Sequence, residues 1–188
     1  MNRFKIIIFN LIFFGSIFLT SIGWAQKVTI SNPPVIKNYF AVDKGYYGYT
    51  WKIYLEAEDP DGDMLKIASI VDQPGYGRYF TDWIILKPEF RKYLKGYIQW
   101  NIHSSSGSVP EWTEIQLKIS IIDIAGNESN IIFLPFTFES GLKDPDKYLL
   151  PPPFNQKDLP KIGNITIELL FPGGDVEGFL IQSDRRRN

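Results

Sequence analysis

The side chains best suited to chemistry in this chain are oxygen ligands grouped in two turns. Asp59-Pro60-Asp61-Gly62-Asp63 places Asp at every second position, and Asp123-Ile124-Ala125-Gly126-Asn127-Glu128 adds further carboxylate and amide oxygens. Ca²⁺ prefers such oxygens and takes six to eight of them. The Asp-x-Asp-x-Asp spacing also begins an EF-hand loop, but Met64 and Ile70 stand where that loop needs Gly and Glu. A calcium site here is therefore not an EF-hand and would need both turns.

β-strands must position these turns, because apolar and polar residues alternate with period two. Trp51–Glu58 and Glu114–Ile121 show the alternation most clearly, and period two indicates one buried and one wet face. The sequence predicts seven strands: Val35–Val42, Trp51–Glu58, Leu65–Val71, Trp83–Leu86, Tyr97–Ile102, Glu114–Ile121 and Ile132–Phe138. Pro88–Gly96 is predicted as a connector, and no amphipathic helix is evident. Such spacing is typical of an all-β antiparallel sandwich.

In such a sandwich, alternate connections gather at the same end. The first end would hold the predicted metal ligands: Asp59, Asp61, Asp63 and Asp123, with Asn127 and Glu128 beside them. Carboxylates that lie this close repel one another unless they are neutralised. Three interpretations remain open: a hydrated turn without a ligand, neutralisation by Arg91, Lys92 and Lys95, or a bound Ca²⁺.

Aromatic residues dominate the loops predicted at the opposite end. The predicted binding residues are Tyr46, Tyr47, Tyr49, Tyr76, Tyr79 and Phe80, with His103 and Trp112 in neighbouring segments. Tyr offers a large contact area at low entropic cost together with a hydroxyl group. The composition favours a surface for sugar rings or for a partner protein. The alternative is that half of these rings seal the end of the core.

The sequence offers little that indicates catalysis. It contains one His and no Cys, and it lacks Gly-x-Ser-x-Gly, His-Glu-x-x-His and a Gly-rich phosphate loop. His103 stands beside Ser104, Ser105 and Ser106, but adjacent residues in a loop rarely form a triad, which is defined by geometry. We therefore predict that the protein is not an enzyme. A carboxylate pair for glycoside hydrolysis stays open, since a distance in space defines it.

The first 25 residues predict a secretory signal peptide. Arg3 and Lys5 precede the apolar run Ile6–Leu19, and Gly23-Trp24-Ala25 places small residues at −3 and −1 of a cut before Gln26. An uncleaved membrane anchor is the alternative, but the apolar run is short and Asn10 interrupts it. The predicted localisation is export to the periplasm or the exterior, with no integral membrane span after cleavage.

The absence of Cys and the net charge exclude some classes of exported protein and some partners. No thiol is available for a lipid anchor or a disulfide, so the protein is not a lipoprotein and its core alone must stabilise it. Removing Arg3 and Lys5 leaves 18 basic side chains against 21 acidic ones, a net charge of −3. That balance argues against nucleic acid as a partner.

Three segments resemble bacterial immunoglobulin-like and cadherin-like domains. Asn32-Pro33-Pro34-Val35-Ile36 resembles their entry, Asp59–Asp63 is similar to a turn common among them, and Asp123–Ser129 resembles their final hairpin. The resemblance covers residues 32–139 and implies a seven-stranded antiparallel immunoglobulin-like sandwich. The antibody-type Cys pair and the calcium-linker pattern of tandem cadherins are absent. Modules of this kind carry many functions, so the resemblance implies a fold more than a role.

The character of the chain changes after residue 139. Residues 140–162 are predicted as a Pro-rich linker, and residues 163–188 as a β-hairpin extension with a basic tail. Ile165, Ile167 and Leu169 alternate with polar residues, and Gly178–Ile181 is the predicted partner strand. A lone hairpin is marginal in water, so it should dock on the sandwich or pair with another chain. The basic tail Arg185–Arg187 is read as a solvated terminus, or as a contact for acidic envelope polymers.

Together these patterns predict an exported, non-catalytic module of residues 26–139 that binds an envelope protein or polysaccharide. The alternative is a carbohydrate-binding module with structural Ca²⁺; no other cofactor is expected. The first function follows from the signal-peptide pattern, the strands and the missing catalytic motifs, and the second from the aromatic loops opposite the acidic ones.

Overall fold

A computed structural model describes residues 32–102, 112–139, 141 and 148–170, and nearly all of them lie in or between β-strands. The strands are β1 (Val35–Phe40), β2 (Lys44–Gly45), β3 (Thr50–Glu58), β4 (Met64–Gln73), β5 (Gly77–Arg78), β6 (Asp82–Ile85), β7 (Tyr93–Asn101), β8 (Glu114–Asp123), β9 (Ile132–Phe138) and β10 (Lys161–Ile165). One 3₁₀ turn, Pro88–Phe90, precedes β7. The predicted signal peptide lies outside the described residues.

The strands form two sheets that pack face to face. Sheet A has the order β1-β3-β7-β10, and sheet B has the order β2-β9-β8-β4 with β5 and β6 both paired to β4. The layers β1-β3-β7 and β9-β8-β4 correspond to the two layers of an immunoglobulin-like sandwich. The prediction of an all-β sandwich is confirmed.

The structure corrects the strand count, the uniform antiparallel pairing and one boundary. Each of the seven predicted sandwich strands is present, and β2 and β5 are additional. β10 overlaps the start of the predicted C-terminal hairpin, but it begins at Lys161, within the predicted linker, and ends at Ile165. β2 pairs with β9 and β10 with β7 in parallel, so both sheets are mixed. The strand predicted from Tyr97 begins at Tyr93, because Leu94 and Gly96 already continue its buried face and pair with β3.

The core lies between the sheets and contains aromatic rings from both layers. Trp51 and Trp100 of sheet A lie 6.1 Å apart, and Trp51 lies 4.6 Å from Phe136 of sheet B, measured between ring centroids. Leu117 belongs to the same buried cluster. The Trp51 indole N–H donates to the Val42 carbonyl at 2.8 Å, so the large ring is buried without leaving its donor unpaired.

Pro135 lies where the sheet can tolerate it. It pairs with Gln116 of β8 on one side, while β2 covers only Thr137 and Phe138 on the other. Pro cannot donate to a ladder, so pairing on one side only is the arrangement that this position tolerates.

Residues 148–170 pack onto the sandwich. Phe154 is buried on the outer side of sheet A, where its ring centroid lies 5.8 Å from that of Tyr54. The ring centroids of Tyr148 and Phe40 lie 5.6 Å apart. Lys161–Ile165 then forms β10 beside β7. The predicted partner strand Gly178–Ile181 and the basic tail lie outside the described residues.

The period-two alternation generates a stability prediction in β8. Leu117 is fully buried and pairs with Val71 and Leu134, whereas its neighbour Gln116 is exposed. Leu117→Ala should lower the free energy of unfolding by about 2–5 kcal/mol, because it removes apolar contacts and leaves a cavity. Gln116→Ala should change it by less than about 0.5 kcal/mol. Urea unfolding of both variants measures this, and equal losses would contradict the assigned faces.

Candidate functional site

Three carboxylates meet at one end of the sandwich. The side chains of Asp59, Asp63 and Asp123 each present a carboxylate oxygen within 4.8 Å of the others. Strand register produces this: Met64 pairs with Asp123, and the Ile124 N–H donates to the Asp63 carbonyl at 3.1 Å. We call these three residues the acidic cluster. Asp59 and Asp123 are each only 1% exposed.

Local hydrogen bonds orient two of the three carboxylates. The Asp59 carboxylate accepts the Asp61 N–H at 2.9 Å and the Asp63 N–H at 3.3 Å. The Asp123 carboxylate accepts the Asn127 N–H and the Asn127 Nδ2–H, both at 2.8 Å. Three of these contacts join a carboxylate to a backbone N–H within its own turn, so both residues also hold their loops in shape.

Asp63 is the member of the acidic cluster whose carboxylate is least well hydrogen-bonded. Its Oδ1 is buried and has no hydrogen-bond partner. Burial raises the Asp63 pKa to about 6, and the hydrogen bond with Asp59 and the nearby charges of Asp123, Asp59 and Asp61 add to the rise. Neither Asp59 nor Asp63 has an ion pair among the described residues. The Asp63 carboxylate is therefore costly to ionise where it lies.

Not every predicted ligand joins the acidic cluster. The carboxylate of Asp61 is exposed and accepts the Asn32 N–H at 2.5 Å. Glu128 accepts the Ser120 hydroxyl at 2.6 Å. The backbone carbonyls of Arg91 and Lys92 accept the N–H groups of Met64 and Asp59 at 3.0 Å each, which places this segment against the acidic turn.

The six predicted binding aromatics do not form one surface. Tyr46, Tyr47 and Tyr49 follow β2 at one edge of sheet B, while Tyr76, Tyr79 and Phe80 flank β5 at the opposite edge. β9, β8 and β4 lie between the two groups. Tyr49 and Tyr79 are buried and belong to the core, whereas the other four are exposed. His103 lies outside the described residues, and Trp112 is exposed.

Sequence reasoning missed an apolar surface on the outer face of sheet B. Trp83 and Ile85 of β6, Phe133 of β9, and Ile131 just before β9 are 44–64% exposed. Ladder register places Trp83 beside Ala68, and Phe133 beside Lys118 and then Ile70. We call this the outer apolar face. The sequence of β6 and β9 could have revealed this surface, because consecutive residues are apolar in both strands. Apolar side chains must then lie on both faces of each strand.

Two lysines lie on the outer apolar face. The Lys66 ammonium lies 4.0 Å from the centroid of the Trp83 ring, and the Lys118 ammonium lies 5.7 Å from that of Phe133. Lys118 forms an ion pair with Asp72, whose carboxylate also accepts the Arg78 Nε–H at 2.8 Å. The bonds from Arg78 and Lys118 lower the Asp72 pKa to about 2. Lys66 forms no ion pair within the described part of the chain.

Comparison with known proteins identifies no family for this chain. No protein-family model and no curated protein matches the chain. Among solved structures, it is similar to the PKD domain of an M14-like peptidase from a Thermoplasmatales archaeon. The identity is 19%, the match covers 58% of this chain and 98% of that one, and the TM-score is 0.40. So loose a superposition supports no conclusion about function.

The acidic cluster generates a prediction about charge. In chelator at pH 8, Asp63→Asn should raise the free energy of unfolding by about 1 kcal/mol or less, because it removes a carboxylate that is costly to ionise. A raised native pKa favours the protonated native state, so the advantage should shrink as the pH falls from about 6 towards the ordinary value of 3.8.

Asp61→Asn is the matched control, since Asp61 is exposed and lies outside the acidic cluster. Chemical unfolding across the pH range measures both variants. A pH-independent loss of stability in Asp63→Asn would show that this carboxylate is already well compensated.

Proposed function

We propose that this chain is an exported, non-catalytic interaction module that binds a partner protein of the cell envelope through the outer apolar face. The observation that carries the proposal is that the outer side of sheet B exposes four apolar side chains, two on β6 and two at β9, with Lys118 and Ser120 of β8 between the pairs. Apolar side chains exposed together on one face and rimmed by polar groups commonly mark a protein–protein contact. The four exposed members are Trp83, Ile85, Ile131 and Phe133.

The composition of the outer apolar face resembles that of a protein interface. Aromatic anchors such as Trp83 and Phe133 dominate binding energy when a partner excludes water from them. Lys66 lies over Trp83 without an ion pair among the described residues. A partner that places a carboxylate near Lys66 beside its own apolar side chains would complement both properties.

The non-catalytic and exported parts of the proposal rest on the sequence. One His, no Cys and no nucleophile motif give little basis for catalysis, and residues 1–25 have the pattern of a signal peptide. Within the described ranges, no helix has the length and apolar character needed to cross a bilayer.

The acidic cluster supports a further part of the proposal, a structural Ca²⁺. Asp59, Asp63 and Asp123 offer three carboxylates, and the Asp63 Oδ1 lacks a hydrogen-bond partner. Ca²⁺ would neutralise the cluster and complete its coordination with carbonyl oxygens or water. Its role there would be to hold the turns together, since the cluster lies where β3 ends, β4 begins and β8 ends.

The carbohydrate-binding alternative has less support. It relies on stacking between sugar rings and aromatic faces, and only Tyr46, Tyr47, Tyr76 and Phe80 of the predicted set are exposed. These four divide between opposite edges of sheet B. A glycan site would therefore use one edge rather than the whole set.

The interaction proposal predicts a surface-specific loss of binding. Trp83→Ala and Phe133→Ala should each weaken binding of an envelope protein at least tenfold, because each removes an aromatic anchor. Tyr39→Ala is the matched control, since Tyr39 is also half-exposed but lies on β1 at the edge of sheet A.

Covalent cross-linking in envelope extract would identify the partner, and titration of the purified pair would measure affinity. Equal binding by all three variants would overturn the assignment of the face. A tryptophan fluorescence response to glycans that survives Trp83→Ala would instead favour the carbohydrate alternative.

The calcium proposal predicts stabilisation by the metal. Ca²⁺ at 100 times its dissociation constant should add about 2.7 kcal/mol to the free energy of unfolding, because the ion binds only the native arrangement. Asp63→Asn should abolish the gain, and Asp61→Asn should retain it. Thermal unfolding in millimolar Ca²⁺, in Mg²⁺ and in chelator tests this. A melting temperature that is the same in all three would remove calcium while leaving the interaction proposal intact.

A further inference from the structure

Residues 161–170 occupy a groove between β7 and β6 at the open edge of the sandwich. β10 pairs in parallel with β7, from Lys161 opposite Tyr97 to Ile165 opposite Trp100. The Tyr97 N–H donates to the Pro160 carbonyl at 3.0 Å. Beyond β10, residues 166–170 have no strand partner, and side chains of the sandwich bind their backbone instead. We call residues 148–170 the C-terminal arm.

The groove recognises the arm mainly through its backbone. The Trp100 indole N–H donates to the Ile167 carbonyl at 2.9 Å, and the Tyr79 hydroxyl accepts the Leu170 N–H at 2.7 Å. Gln73 Nε2–H donates to the Leu170 carbonyl at 3.3 Å, and the Tyr79 hydroxyl donates to Gln73 Oε1 at 2.5 Å, which orients that amide. The same groups would bind the same segment from any source.

Asp82 adds a contact that depends on sequence. Its carboxylate accepts the Thr166 N–H at 2.8 Å and the Thr166 hydroxyl at 2.9 Å. Two glycines permit the close approach: a Cβ at Gly96 would collide with the Pro160 carbonyl, and one at Gly163 would collide with Ile84. This chain's own segment is therefore matched to the groove.

Apolar side chains anchor the arm. Ile162, Ile165 and Leu169 are buried and belong to the hydrophobic core. An empty groove would expose these contacts and leave the polar atoms of Trp100, Gln73 and Tyr79 without their arm partners. Emptying the groove would return this apolar surface to water, so the filled groove is the more stable state.

From this geometry we infer that the groove also accepts the arm of a second copy, so that two copies exchange residues 148–170. Strands β1–β9 already form both layers of the sandwich, and β10 packs chiefly against β7 and β6. The arm can therefore leave one groove and enter another without breaking any ladder among β1–β9. An exchanged arm would keep every contact described above, including the one between Thr166 and Asp82.

The concentration of the chain decides whether the arm fills its own groove or that of a second copy. A short connection holds the arm near its own groove at an effective concentration on the order of millimolar, which favours the closed monomer in dilute solution. Exchange becomes competitive when chains refold together at high concentration, or where they are crowded. It provides a route to dimers that is independent of the outer apolar face.

The absence of Cys permits a direct test. Full chains carrying Thr166→Cys or Asp82→Cys are mixed, unfolded and refolded together over a range of concentrations, and then oxidised. Exchange predicts a disulfide-linked heterodimer whose yield rises with concentration. The double variant Asp82→Cys/Thr166→Cys, refolded dilute, should give a monomer with an internal disulfide, which verifies the geometry and the folding of the substituted chain.

Two controls separate exchange from random collision. Thr166→Cys mixed with Glu89→Cys sets the background, because Glu89 is exposed on the 3₁₀ turn outside the groove. A peptide of residues 159–170 should lower the heterodimer yield several-fold, whereas a scrambled peptide should not. A yield equal to the background at every concentration would overturn the inference. So would size measurement of the unmodified chain showing only monomer after concentrated refolding.

Discussion

The burial of alternate side chains between two sheets is the constraint on which the other features depend. Trp51 and Trp100 of sheet A pack against one another, and Trp51 also packs against Phe136 of sheet B. Each indole donates its N–H to a backbone carbonyl, Val42 for Trp51 and Ile167 for Trp100, so neither ring is buried with an unpaired donor. Without Cys, no disulfide can share this task, and apolar burial must supply most of the stability.

The same constraint creates the acidic cluster. Pairing of Met64 with Asp123 is fixed by which residues of β4 and β8 face the core, and it brings the turn before β4 next to the turn after β8. Asp59 and Asp123 each use their carboxylates to shape a turn. Asp63 is left with a buried oxygen that has no partner, and its raised pKa records the electrostatic cost. Asp residues that suit each turn separately therefore bring negative charges together where the two turns meet.

Two features show why local pattern was insufficient for surfaces and edges. Trp83 and Phe133 are apolar residues on the solvent side of their strands, where period-two alternation predicts polar side chains, so the pattern gave them no role. Residues 148–162 of the arm are rich in Pro and polar residues, which favours a linker in sequence. Yet Phe154 is buried and Lys161–Ile165 extends sheet A, because the open side of β7 offers backbone partners that no local signal records.

The sequence by itself determined the alternation, the turn positions and therefore the two-layer all-β class, since period two and Asp-Gly turns are local properties. It also anticipated that Asp59, Asp63 and Asp123 would converge, because strand order fixes which loops share an end. Only the tertiary structure decided that Asp61 stays apart, that Tyr49 and Tyr79 are buried, and that β10 pairs in parallel with β7. These outcomes depend on distances between segments that are remote in sequence. Local composition and residue spacing do not specify such distances.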